Sequence, residues 1–172
     1  RKFEYAGLKF ERVMFDKLPL YQARIPITTA TGSVVANYNL YLRNDPRKSR
    51  IPIEGKIRLM KNIVLAVNES AHTCQYSGVA GVTLSQFFEA AGVKSIKGTT
   101  NLTESTEKNI IFADCDNLNA ENSVLIITES NETKITQKTK DCYIMEVANC
   151  EILEAVERFM LGTIAQSKGY EI

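Results

Sequence analysis

The residues whose types best suit chemistry are four cysteines, Cys74, Cys115, Cys142 and Cys150, and a single histidine, His72. A thiol nucleophile needs a base within hydrogen-bond reach, and His is the usual one near neutral pH. His72 and Cys74 stand two residues apart, so no other His could serve, and the pairing is poor for a dyad. No catalytic residue is assigned. Zinc favours paired short-range ligands, whereas these cysteines lie 41, 27 and 8 residues apart with no CxxC pair. Disulfides, buried free thiols and a zinc site all stay open, and the even count favours disulfides formed outside the reducing cytosol.

Three further constellations bear on binding. Ser77-Gly78-Val79-Ala80-Gly81 follows an apolar strand and opens a helix, where backbone amides could receive an anion. It matches neither phosphate-loop pattern, and small residues that let a helix approach the sheet explain it better. Asp114, Asp116, Asn117, Asn119 and Glu121 gather oxygen donors in one loop that could hold calcium, without the EF-hand order or its central glycine. No cofactor and no structural metal is expected beyond that calcium option. Arg43, Arg47, Lys48, Arg50, Lys56 and Arg58 form a basic run with no interleaved aromatics, which reads as a solvated connection rather than a nucleic-acid site. Asn68, Asn101 and Asn131 each begin an N-x-[ST] triplet, so they are candidate glycosylation sites, although about two such triplets would arise by chance.

The elements that must position these residues change character along the chain. Phe10 to Phe15, Leu20 to Ile27 and Val34 to Leu42 are rich in β-branched and aromatic residues and separated by turn chemistry, which predicts an antiparallel meander. Tyr38, Leu40 and Leu42 alternate with Asn37, Asn39 and Tyr41, the period of a sheet with one buried face. After residue 58 an apolar strand (Asn62 to Val67) precedes a helix over Tyr76 to Ala91. Short strands are then predicted at Val93 to Thr99, Asn109 to Asp114, Val124 to Thr128, Lys134 to Gln137 and Cys142 to Val147. Ile152, Leu153, Val156, Phe159, Met160 and Ile164 share one stripe of a closing helix. The fold class is α+β: an N-terminal antiparallel β-meander, then a mixed sheet with at least two packed helices. The divisions are a β-rich subdomain at 1–45, a connecting loop at 46–58 and an α/β subdomain at 59–172.

If the strands from 109 to 147 run as a meander, Cys115 and Cys142 fall at one sheet end, and Cys74 is left for Cys150. Length and composition bound the rest. With 24% charged residues and a net charge of +1, no bulk attraction to nucleic acid or to an anionic membrane is implied. The apolar runs Asn62 to Val67 and Ser123 to Thr128 are far short of the roughly 20 residues of a membrane helix. The first residue is Arg1, which suggests a trimmed or processed chain.

Asn109-Ile-Ile-Phe-Ala-Asp-Cys115, Val124-Leu-Ile-Ile127, Asn131-Glu-Thr-Lys134, Cys142-Tyr-Ile-Met-Glu146 and Ile152-Leu-Glu-Ala-Val-Glu-Arg-Phe159 together resemble an uncharacterised family of archaeal membrane-anchored extracytoplasmic proteins. So do Tyr41-Leu-Arg-Asn-Asp-Pro-Arg47 and Ile51-Pro-Ile-Glu-Gly55. The closing strand, hairpin, strand and helix order is distantly similar to domains of archaeal surface-layer proteins. The resemblance implies a missing anchor helix before Arg1 and carries no activity. The expected function is a non-enzymatic structural or interaction protein of the cell surface, a candidate glycoprotein, partnered by other protein subunits or by itself and touching the membrane only through a segment absent from this chain. The alternatives are a solute- or polysaccharide-binding domain that stacks ligand on Tyr21, Tyr38 and Tyr41, and an enzyme with an unrecognised carboxylate-based site.

Overall fold

The computed structural model describes residues 1–172. Four antiparallel strands open the chain: β1 (Lys2–Tyr5), β2 (Leu8–Phe15), β3 (Leu18–Thr28) and β4 (Val34–Leu42), paired in chain order. The β1–β2 turn is Ala6-Gly7, both at positive φ (50° and 73°), as the twist of a two-residue hairpin loop requires. Alternation then sorts the faces. Phe10, Ala23 and Leu40 lie opposite one another across β2, β3 and β4 and are buried. Glu11, Gln22 and Tyr41 occupy the next rung on the outer side, with Lys2 opposite Glu11 on β1.

The second sheet contains β5 (Ile53–Glu54), β6 (Asn62–Val67), β7 (Lys94–Thr99), β8 (Ile111–Phe112), β9 (Asn122–Glu129), β10 (Lys134–Thr139) and β11 (Cys142–Val147). Their order is β5-β10-β11-β9-β6-β7-β8. The β10–β11 hairpin is the one antiparallel pair in it. Four helices complete the chain: α1 (Glu69–His72), α2 (Ser77–Ala90), α3 (Leu102–Lys108) and α4 (Ile152–Ser167). None of them is long and apolar enough to cross a membrane. The expected α+β class, with its leading meander and mixed sheet, is what the chain adopts.

Helices α2 and α4 lie between the two sheets. A line of aromatic rings crosses the layers, from Tyr38 on β4 to Phe87 and Phe88 on α2, Phe159 on α4 and Tyr143 on β11, with successive centroids 5.8–6.3 Å apart, the spacing of tilted and edge-to-face pairs. One cluster of 27 buried residues therefore joins Leu8 and Leu42 of the meander to Leu125 of the second sheet and Ile164 of α4. Twelve of the 16 residues of α4 are buried, including Glu157 and Arg158, which the sequence had interleaved with its apolar stripe. Gly162 admits a close approach: a Cβ there would overlap Ile53 Cδ1.

The far face of the second sheet is covered differently. Val64, Val124 and Cys142 pack there with Ala113, Cys115 and Leu118 from the segment that follows β8. The expected meander from 109 to 147 does not form. β8 shortens to two residues at the edge beside β7, and β9 lies parallel to β11, with Val124 opposite Cys142. Cys115 nevertheless bonds Cys142 and Cys74 bonds Cys150, the expected pairing reached by another route: the chain after β8 returns across the sheet face. β1, β5, α1 and α3 are short elements that the sequence patterns did not announce.

The two disulfides close segments of 76 and 27 residues, for which loop-closure entropy gives about 4.5 and about 3.5 kcal/mol. Paired Cys→Ser replacement at Cys74 and Cys150 should accordingly destabilise the fold more than replacement at Cys115 and Cys142, measured by urea unfolding. The reverse order would show that local packing, and not chain entropy, sets their contribution.

Candidate interaction surface

A polar cleft of about 280 Å³ lies between α4 and the segment after β4, lined by Asn44, Asp45, Ser49, Glu154, Glu157 and Arg158 among others. Glu157 comes from the middle of α4 and is 4% exposed. Its carboxylate accepts hydrogen bonds from the backbone N–H of Arg43 (2.6 Å) and Asn44 (3.2 Å) and from Asn44 Nδ2 (3.0 Å). Burial pushes its pKa up to about 7, with nearby Glu154 adding to the rise and the three donors opposing it. A carboxyl group poised near 7 suits a general acid, but here both oxygens already hold the backbone after β4. Its neighbour Arg158 donates from Nε to the Ile51 carbonyl (2.9 Å) and from a terminal nitrogen to Tyr5 Oη (2.9 Å). The cleft works as a clamp. Ser49 Oγ and Glu154 Oε2 are buried without a protein partner, and the glutamates of α4 form no group of metal-ligand geometry.

The basic run is held by this clamp and by aromatic rings. Arg47 pairs with Asp45 (2.7 Å) and lies 3.8 Å from the Phe3 ring centroid, while Arg43 lies 5.4 Å from that of Tyr76. These two cations are engaged within the chain, and Lys48, Arg50, Lys56 and Arg58 remain exposed.

The remaining sequence-predicted residues are dispersed. Cys74 carries no thiol, being bonded to Cys150, and His72 is exposed. Gly78 and Gly81 face open space, which corrects the expectation that they bring a helix close to the sheet; Ala80 is the buried residue of that motif. In the acidic loop, Asp114 Oδ1 accepts from the backbone N–H groups of Asp116 and Asn117 and from Asn117 Nδ2, an Asx turn that spends its oxygens locally. Asn68, Asn101 and Asn131 are all exposed. Asn68 and Asn101 cap α1 and α3 through Oδ1 and share a crevice of about 380 Å³ beyond the ends of β6 and β7, where parallel sheets commonly open to ligands. Glu104 in that crevice is already bonded to Thr99 (2.6 Å) and Lys108 (3.1 Å), which hold its carboxyl below the usual range.

The proposed tyrosine platform does not exist. Tyr38 is turned inward onto Phe87 and Tyr21 packs edge-on to Phe3; only Tyr41 lies on the outer face, with Gln22 Nε2 3.3 Å from its hydroxyl. That face is a carpet of Lys9, Glu11, Gln22, Arg24, Asn39 and Tyr41, with its shallow depression lined by the first four of these. Alternation in β4 carried the signal, since it assigned Tyr38 and Tyr41 to opposite faces. Beside the carpet runs the β4 edge, whose first four residues, Val34 to Asn37, are all exposed.

Glu157 gives the fold a pH dependence. The folded chain retains a proton there up to about pH 7, whereas the unfolded chain releases it near 4.5. The stabilisation is therefore complete below about pH 4.5 and is lost as pH rises through about 7. Urea unfolding at pH 5 and pH 8 should show a loss of about 2.5 kcal/mol from this group. Glu157→Gln should flatten that difference, and an unchanged slope would refute the assignment.

No protein-family model matches the chain, and neither a curated protein nor a solved structure matches it.

Proposed function

We propose that this chain is a non-enzymatic structural or interaction module of a cell envelope, displayed outside the cytosol and joined to other protein subunits through its N-terminal sheet. The observation that carries this reading is that all four cysteines are consumed in two disulfides between distant parts of the chain. Such cross-links persist where cytosolic reductants are absent. The reading is supported by the resemblance to archaeal membrane-anchored proteins and by the exposure of every Asn that begins a glycosylation triplet. The polar cleft beside α4 is occupied by the chain's own bonds to Glu157, and the meander presents a wide outer face and an open edge, as an assembly subunit would. Attachment to a membrane would come from a segment outside residues 1–172.

A membrane-impermeant amine reagent applied to intact producing cells should modify exposed Lys9 and Lys17, and alkylation of the native material before mass spectrometry should find no free thiol. Four free sulfurs, or labelling only after lysis, would overturn the placement.

A further inference from the structure

We propose that the edge of β4 is a self-recognition surface, on which a second copy of this chain pairs antiparallel to join two meanders into one continuous sheet. The inference rests on the interaction reading above and names its partner.

The four sheet edges are unequal. β5 and β8, which bound the second sheet, have two residues each. β1 has four, of which Lys2 and Glu4 are charged. Short or charged edges resist the addition of another strand. β4 has nine residues, Val-Val-Ala-Asn-Tyr-Asn-Leu-Tyr-Leu, with no charge and no proline. A register shift beside Val35 interrupts its first turn of pairing, leaving Ala36 to Leu42 as the regular stretch.

The direction of its backbone groups can be followed strand by strand. Arg12 N–H donates to the Arg1 carbonyl, so Arg12 points towards β1 and its neighbour Glu11 points towards β3. Glu11 stands opposite Gln22, which therefore points back to β2, as do Arg24 and Pro26 at the same parity. Pro26, with no N–H to give, is thereby excused from the β3–β4 ladder. The residues opposite these three, Tyr41, Asn39 and Asn37, direct their N–H and C=O groups away from β3, to the free edge. No turn, loop or cap bond reaches these backbone groups.

This stretch is complementary to itself. An antiparallel copy centred on Asn39 places Asn37 opposite Tyr41 and Asn39 opposite its own symmetry mate, all at hydrogen-bonding positions. On the inner side Ala36 meets Leu42 and Tyr38 meets Leu40, so the apolar face continues across the junction. No like charges meet, and the arrangement is closed by one two-fold axis. The side-chain amides of the two Asn39 residues face each other on the outer surface.

Sedimentation equilibrium of the oxidised chain from about 1 µM to about 1 mM should reveal a dimer. Asn39→Asp, nearly isosteric and opposite Arg24 in its own sheet, sets two carboxylates against each other across the axis and should raise the dissociation constant at least about tenfold. Its circular dichroism should be that of the parent. Asn39→Cys should cross-link to a dimer with oxidised glutathione, because directly opposed residues meet the separation a disulfide needs, whereas Asn37→Cys should not. A monomer across that range, a dimer indifferent to Asn39→Asp, or equal cross-linking at both positions would overturn the proposal. These failures leave the envelope reading standing on its thiol count and surface labelling; free thiols would sink that reading even if the dimer forms.

Discussion

Helix α4 has almost no face in water, and the rest of the architecture follows from that. A helix with 12 of 16 residues buried must be covered on both sides; here the second sheet covers one side, the meander and the segment after β4 the other. Its two buried ionisable residues then dictate contacts. Glu157 requires donors and finds them in the backbone of Arg43 and Asn44; Arg158 requires acceptors and finds Ile51 and Tyr5. Removing one partner from such a group leaves a charge with no solvent, which costs far more than the bond itself contributes. The position of the meander is thus specified by polar chemistry inside the helical layer as well as by apolar packing. Glu157 eases its own burial by holding a proton near neutral pH.

One disulfide sits where this packing is thinnest. The outer face of the second sheet has no long helix over its centre, and its cover is a buried cluster of only four residues. A segment of that kind gains little from burial, so tying it to the start of β11 through Cys115 and Cys142 replaces packing with a covalent constraint. Cys74 and Cys150 serve the helical layer instead. Asn149 and Cys150 both have positive φ (51° and 55°) where the chain turns from β11 into α4, a conformation unfavourable to side-chain-bearing residues. The bond from Cys150 to the connection between α1 and α2 holds that turn.

How much of this was legible in the sequence depended on whether one periodicity sufficed. The meander, the strand at Asn62–Val67, helix α2 and helix α4 each repeat one pattern over enough residues to be read, and the two faces of β4 followed from simple alternation. The path from 109 to 147 was not legible, because consecutive strands in a chain are ordinarily neighbours, and nothing local reveals that β9 and β11 pair in parallel with β10 set outside them. The cysteine pairing survived that error since both paths bring residue 115 to the start of β11. The role of Glu157 was hidden for a related reason: a charged residue in a helix reads as solvent-facing until a second covering layer is known, and that layer comes from residues more than 100 positions away.

The unequal treatment of the edges joins these points into a view of the molecule as a unit. Shortening β5 and β8 to two residues and placing charges in β1 makes the other edges resistant to strand addition. An uncharged edge left open on β4 exposes backbone donors and acceptors that water satisfies in the free chain, so its presence costs the monomer little stability. Its effect appears in association, where a regular strand gains a partner with matching parity. Because α4, through Glu157, grips the backbone immediately after Leu42, one end of that edge is fixed to the core rather than free to fray. A preorganised strand loses less conformational entropy on pairing than a mobile one. The buried clamp and the open edge are therefore two ends of one mechanical element, with stability supplied at Leu42 and recognition offered from Ala36 onward.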